Sequence, residues 1–137
     1  MKAASFVCLT FALLACSDST SPVPTAVEGL SIAPSKSTYQ VGDKISAVLV
    51  NESARIIEYG ACAIDVERKN GSRWSRVWPT SGACEAILFF LPPNSSRTTP
   101  LAITNGLSGG TYRLRILTMA APGSSPLEVY SSTFTVQ

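Results

Sequence analysis

Leu107-Ser108-Gly109-Gly110-Thr111-Tyr112-Arg113-Leu114-Arg115-Ile116 alternates strictly once its paired glycines are passed. Tyr112, Leu114 and Ile116 share one side of an extended chain, and Arg113 and Arg115 share the other. Successive side chains of pleated backbone point to opposite faces, so a period of two predicts a strand with one face in a core and one outside it. The two arginines read as a solvated face rather than a binding stripe.

Outward from this stretch the chain keeps the same pattern, short apolar runs divided by turn residues, and no helical period survives ten residues. Upstream, strands are expected at Leu30 to Ala33, with Ser37 to Val41 as a continuation after Pro34, then at Ile45 to Val50 and Ile56 to Tyr59. Ile64-Asp65-Val66-Glu67-Arg68 alternates again and runs into Asn70-Gly71, the pair favoured in a tight type I′ hairpin, with Trp74 to Trp78 as the return strand. Ala86 to Leu91 is a continuous apolar run, expected to be buried on both faces or to edge the core, and is closed by Pro92-Pro93-Asn94. Arg97 to Ile103 carries Pro100, whose missing N–H points to an edge or a bulge. Val129 to Val136 closes the chain, with Tyr130, Phe134 and Val136 expected to face inward. Many short strands at this spacing make an all-β, antiparallel two-sheet sandwich the expected fold.

The N-terminus has a different character. Lys2, an apolar stretch from Ala3 to Leu14, then Ala15-Cys16 has the order of a secretory signal, and it is too short for a hydrocarbon core of about 30 Å. Leu13-Leu14-Ala15-Cys16 resembles the lipobox of bacterial lipoproteins, which implies cleavage before Cys16 and acylation of that residue. Leu14 departs mildly from the pattern, whose position usually holds something smaller. Ser17 follows the cysteine where Asp would resemble an inner-membrane retention signal, so the outer membrane is favoured. Ser17 to Thr25 contains two prolines and little to bury, and reads as a tether reaching up to about 30 Å. The expected division is residues 1–15 as signal peptide, 16–27 as lipidated cysteine and tether, and 28–137 as one domain.

With the signal gone, Cys16 takes the lipid, and Cys62 and Cys84 remain as the expected disulfide of an exported protein. Closing a loop of about 22 residues is worth roughly 3 kcal/mol in loop-closure entropy. A metal site is the rival, but two isolated cysteines in a chain with no histidine do not make an ordinary zinc tetrahedron, so no metal or other cofactor is expected. A net charge of +2 without a basic cluster argues against a nucleic-acid partner.

Further residues carry a resemblance to a family. They are Thr38-Tyr39 with Val41-Gly42-Asp43, Asn51, Gly60 with Cys62, Glu67-Arg68 ahead of Trp74, Cys84, Leu91-Pro92-Pro93, Gly110 to Leu114, and the closing Val129 to Val136. In that order they resemble the bacterial Ig-like domains of exported lipoproteins from about residue 30 to the end, apart from Asn94-Ser95-Ser96, where such turns commonly carry glycine. The family is similar in shape to intracellular proteinase inhibitors directed at subtilisins. The resemblance implies an immunoglobulin-like or fibronectin III-like sandwich with Tyr112 as a tyrosine corner, its hydroxyl bonded to upstream backbone.

Catalysis is not expected. Asp65 and Glu67 share a strand face at about 7 Å, but a solvated face explains them better than paired acid chemistry. A serine-lysine pair using Lys36 or Lys44 has no supporting motif. Binding is the stronger expectation. Arg73 to Trp78 places Trp74, Arg76 and Trp78 on one side, with Trp74 expected in the core and Arg76 and Trp78 as the candidate binding surface. The loops Pro79 to Cys84 and Ala120 to Leu127 are further candidates. The expected function is therefore a non-catalytic, lipid-anchored envelope protein that engages a protein or glycan or serves a structural role, on the periplasmic side or at the surface. The alternative is a proteinase inhibitor acting through an exposed loop.

Overall fold

The structure is a computed structural model that describes residues 28–79, 87–103, 106–119 and 126–137. Its strands are β1 (Leu30–Pro34), β2 (Thr38–Tyr39), β3 (Ser46–Asn51), β4 (Ile57–Gly60), β5 (Ile64–Asn70), β6 (Arg73–Trp78), β7 (Leu88–Leu91), β8 (Ser95–Pro100), β9 (Gly110–Met119) and β10 (Pro126–Val136). Three of them form a sheet in the order β1-β3-β8, five form a sheet in the order β2-β10-β9-β5-β6, and β4 with β7 makes a two-stranded ribbon. The architecture is an all-β sandwich. The expected signal peptide and tether, Cys84, and most of the two candidate loops lie outside the described residues.

Among the described residues all ladders are antiparallel except one. Ser37 to Val41 does not continue the first strand. β1 pairs with β3, whereas β2 pairs parallel to β10 through Thr38 against Thr135 and Tyr39 against Val136. The switch comes one residue after Pro34, which stands opposite Ala47, since the N–H of Ser35 still donates to the Ser46 carbonyl of β3 at 2.9 Å. Past Ser35 the chain is free to cross to the facing sheet, and the N–H of Thr135 is met by the carbonyl of Ser37 at 3.0 Å.

The core fills the space between the sheets with Ile32, Ala47 and Leu49 from one side and Ile64, Val66, Leu114, Ile116 and Phe134 from the other. At its centre Tyr39, Phe134 and Tyr112 are each about 1% exposed; Phe134 meets Tyr39 edge-on at 5.4 Å and lies over Tyr112 at 5.6 Å between ring centroids. Such pairs add about 0.5–1.5 kcal/mol beyond the area they bury. Both phenols find partners at the rim of the core. Tyr112 donates to the carbonyl of Ser108 at 2.6 Å, the four-residue backward bond of which a tyrosine corner consists, and Tyr39 accepts from the N–H of Lys36 at 3.0 Å. In β10, Phe134 and Val136 are buried, but Tyr130 is on the outward side, 41% exposed, because a register shift between Tyr130 and Thr133 changes the phase of the strand. Ser131 fills the resulting gap by accepting the Leu114 N–H on its hydroxyl at 2.8 Å.

Two turns differ in detail from expectation. The β5–β6 loop is Gly71-Ser72, since Asn70 still pairs with Arg73. Gly71 has φ of 62° while Ser72 does not take positive φ, the pattern of a type II′ loop with glycine first rather than an I′ loop on Asn70-Gly71. At the β7–β8 turn Asn94 adopts φ of 52°, so asparagine occupies the left-handed position expected to hold glycine. The run ending at Leu91 is also only half buried. Phe89 and Leu91 face the core, and Leu88 and Phe90 face outward.

Candidate interaction face on the five-stranded sheet

β5 and β9 lie side by side with Asp65 opposite Arg115 and Glu67 opposite Arg113. Residues directly opposite share a face, so the two alternating stretches that put Val66, Leu114 and Ile116 into the core bring their charged residues together on the other side. The outcome differs from a solvated face. The side chains of Asp65 and Glu67 are only 2% and 9% exposed, and those of Arg115 and Arg113 are 19% and 23% exposed. Both strands are interior to the sheet, so long arginines lying across the pleat cover the shorter carboxylates.

The contacts form one network. Arg113 donates from Nε and Nη2 to Glu67 Oε2 at 2.7 Å each. Arg115 donates from Nε to Asp65 Oδ2 at 3.0 Å and from Nη2 to the same oxygen, reaches Glu128 Oε1 through Nη1 at 3.0 Å, and stands 3.6 Å from Glu67 Oε1. Tyr130 donates its hydroxyl to Glu128 Oε2. Arg76 on β6 closes the rim at 3.9 Å from Asp65 Oδ1. Burial pulls the Arg115 pKa down, but the Asp65 hydrogen bond and the charges of Asp65, Glu128 and Glu67 outweigh it, and the guanidinium is held above its ordinary value. The Tyr130 phenol is also pushed up, chiefly by its hydrogen bond to Glu128, with burial and the Glu128 charge adding to the effect. Within the network three carboxylates meet three guanidinium groups, and Lys69, opposite Trp74, adds one further cation to the same side of the sheet.

Aromatic rings flank the network. The Arg113 guanidinium carbon lies 4.4 Å from the Trp74 ring centroid and 4.0 Å from that of Tyr130, so the cation sits against both rings. Each such contact is worth about 0.5–1 kcal/mol at an exposed site and more when desolvated. Two rings and the Glu67 carboxylate thus restrict the Arg113 side chain, which leaves it less entropy to lose in any further contact.

The β6 residues are not arranged as their alternation suggests. A register shift between Val66 and Glu67 sets Trp78 opposite Val66 on the inward side and Arg76 opposite Glu67 on the outward side. Trp78 packs against the core and donates from Nε1 to the Ala102 carbonyl at 3.3 Å, while Trp74 leaves the core for Arg113. Of the candidate pair Arg76 and Trp78, Arg76 stands on the charged face and Trp78 does not; Trp74 and Tyr130 stand there with it. Sequence reasoning missed Tyr130, Arg113 and Arg115 as site residues. The available signal was the complementarity of Asp-Val-Glu with Arg-Leu-Arg.

The remaining chemistry-bearing residues are scattered. Lys36 ion-pairs with Asp43 at 4.0 Å and lies over the Tyr39 ring, and Lys44 borders a shallow open groove with residues 100–103. The oxygens of Asp65 and Glu67 are taken up by guanidinium donors, an arrangement for holding a surface together rather than for moving protons. Among the described residues no group of three or more His, Cys, Asp or Glu side chains is placed to hold a metal ion. Cys62 lies in the turn between β4 and β5 and is not a free thiol.

No curated protein gives a match to this sequence. A family described as the bacterial Ig-like domain matches residues 27–118, from the start of the described fold to the penultimate residue of β9. The match covers most of the strands that build both sheets, and on it the chain belongs to the bacterial Ig-like domain family.

Proposed function

We propose that this protein is a lipid-anchored module of the bacterial envelope whose Ig-like domain binds a protein or glycan through the outward face of the five-stranded sheet. A family of this kind supports a non-catalytic interaction or structural role. The observation that carries the finer reading is the Arg113 cation held between Trp74 and Tyr130 above buried carboxylates, a preorganised surface with Arg76 at its rim. Anchoring is supported by the lipobox-like Leu13-Leu14-Ala15-Cys16 and the polar tether behind it. A Cys62–Cys84 cross-link belongs to the same reading, since Cys62 is not a free thiol and an envelope compartment preserves disulfides.

The test is crosslinking of the full chain in its native envelope, comparing the unaltered protein with Arg76→Ala and Tyr130→Ala. Loss of a specific adduct in both variants supports the reading, and an unchanged adduct pattern overturns the assigned face. Intact-mass measurement of the N-terminal peptide addresses the anchor separately, and an unmodified Cys16 rules it out. Stoichiometric inhibition of a subtilisin-class protease would replace the reading with the inhibitor alternative.

A further inference from the structure

One face of the β4–β7 ribbon is in the core and the other is in solvent, and the solvent face is apolar. Glu58 stands opposite Phe90 and Gly60 opposite Leu88, while Ile57, Tyr59 and Leu91 point inward. Continuing the alternation one step beyond each strand adds Ile56 and Pro92 to the outward side. Ile56, Leu88 and Phe90 are 59%, 60% and 55% exposed, Pro92 is exposed with them, and Glu58 is the one charge in this set. Single exposed apolar residues are ordinary, but several on one ribbon face mark an interface.

What covers this face is indicated by where the chain joins the domain. Asn51 donates from Nδ2 to the carbonyls of Arg55, Leu91 and Pro92 at 2.8, 2.9 and 3.0 Å, so one buried side chain ties the start of β4 to the end of β7. The N–H of Glu52 donates to the Gly29 carbonyl at 2.6 Å, and Gly29 lies so close to the backbone of Ser53 that a Cβ would fall 2.7 Å from its nitrogen. Gly29 is therefore held against Glu52 and Ser53, in the segment that leads into Ile56, and Asn51 at the start of that segment bonds the Pro92 carbonyl. The Gly71-Ser72 hairpin is remote from them. Thr118 reaches the Glu58 carbonyl while Tyr112 stands opposite Arg68, a separation of about 20 Å along β9 at ~3.3 Å per residue.

We infer that the outward ribbon face of Ile56, Leu88, Phe90 and Pro92 docks on the lipid bilayer that holds Cys16, an inference that rests on the lipid-anchor reading. A short link keeps a tethered group at a millimolar effective concentration, so an affinity of about 1 mM for the bilayer is enough to keep the domain docked roughly half the time. Three or four apolar side chains supply that kind of weak contact. Detached from the anchor, the same face scarcely binds vesicles. Glu58 keeps the docking shallow, with its carboxylate at the headgroup level and the apolar side chains around it at the acyl boundary.

The test uses the acylated full chain in phosphatidylcholine vesicles that contain a diazirine-bearing phosphatidylcholine. After photolysis, mass spectrometry of the peptides locates the lipid adducts. The expected adducts concentrate on Ile56, Leu88, Phe90 and Pro92, several-fold above the Gly71-Ser72 hairpin. In the double variant Leu88→Ser with Phe90→Ser they fall several-fold, although the acyl mass and vesicle flotation are unchanged. Both replaced side chains are exposed, so an unaltered circular dichroism spectrum verifies the fold. An acylated chain whose adducts are even, absent, or centred elsewhere overturns the docking and leaves the anchor standing. An unmodified Cys16 overturns both. Concentration-dependent dimers lost in the double variant, without lipid adducts on the ribbon, overturn the docking in favour of a second copy of the chain.

Discussion

The two outward faces of this sandwich treat polarity in opposite ways. On the five-stranded sheet Asp65 and Glu67 are withdrawn from water, whereas on the β4–β7 ribbon Leu88 and Phe90 are presented to it. Ile64 to Glu67 alternates apolar and acidic residues while Leu88 to Leu91 is apolar throughout, yet in neither does local sequence say whether the outward row is covered. Width does. β5 and β9 are interior strands, and arginines from one lie across the carboxylates of the other. A ribbon two strands wide has no such neighbouring row within its own sheet to lay over its outward side chains. An outward position is therefore solvated or covered according to how many strands lie beside it.

The largest effect is expected on the covered face. Asp65→Ala removes the acceptor of two Arg115 donors and of the nearby Arg76, leaving Glu67 and Glu128 alone against three guanidinium groups around a buried position. Breaking a buried pair from one side costs about 3 kcal/mol or more, whereas an exposed pair is worth at most about 1 kcal/mol. Urea unfolding of Asp65→Ala distinguishes the two. A loss below about 1 kcal/mol would mean that this face is solvated after all, and the contrast with the ribbon would disappear.

Next in size is Tyr112→Phe, which keeps the ring packed on Phe134 and removes only the hydroxyl that serves Ser108. The expected loss is about 1 kcal/mol, the net worth of one hydrogen bond, with the orphaned carbonyl able to raise it. This variant sharpens the comparison by measuring a rim-of-core polar contact against the ion network outside. Equal losses for Tyr112→Phe and Asp65→Ala would show that the network contributes no more than a single neutral bond.

Much of this fold was readable from the chain because its signals are local. The alternation from Tyr112 to Ile116, the apolar run before Asn51 and the glycine at the β5–β6 loop each identify a strand or a turn from a few neighbouring residues. What could not be read depends on register. The exit of β2 to the other sheet, the shift that separates Trp78 from Arg76, and the one in β10 that turns Tyr130 outward each change which residues meet without altering composition. The site was harder still, since Asp65 and Arg115 are 50 residues apart in the chain and become partners only through the pairing of β5 with β9. Charge complementarity between two alternating stretches was visible, but their adjacency was not.

A smaller effect appears at alkaline pH. The folded-state pKa of Tyr130 is raised, first by its hydrogen bond to Glu128, so the native state holds the phenolic proton more firmly than the unfolded chain does. That contribution to stability is whole below the ordinary tyrosine value of 10.0 and is lost as pH rises through the raised native value. Unfolding measured from about pH 9 to 11 should show a decline that Tyr130→Phe reduces. An identical slope in the variant would mean that the Glu128 contact is not kept in solution, and would loosen the aromatic side of the Arg113 clamp with it.

The smallest effect is expected where the sequence is most apolar. Leu88→Ser removes a leucine that is 60% exposed, opposite Gly60 on the outward side of the ribbon. Little buried area is given up and no partner is orphaned, so the change in unfolding free energy should stay within about 0.5 kcal/mol. Serine has a somewhat lower preference for strands than leucine, but on a two-stranded ribbon that difference is a fraction of the same figure. A loss of about 2 kcal/mol would place Leu88 in a packed environment. The ribbon would then be covered in the isolated chain, and its apolar face would have no need of a surface outside the domain.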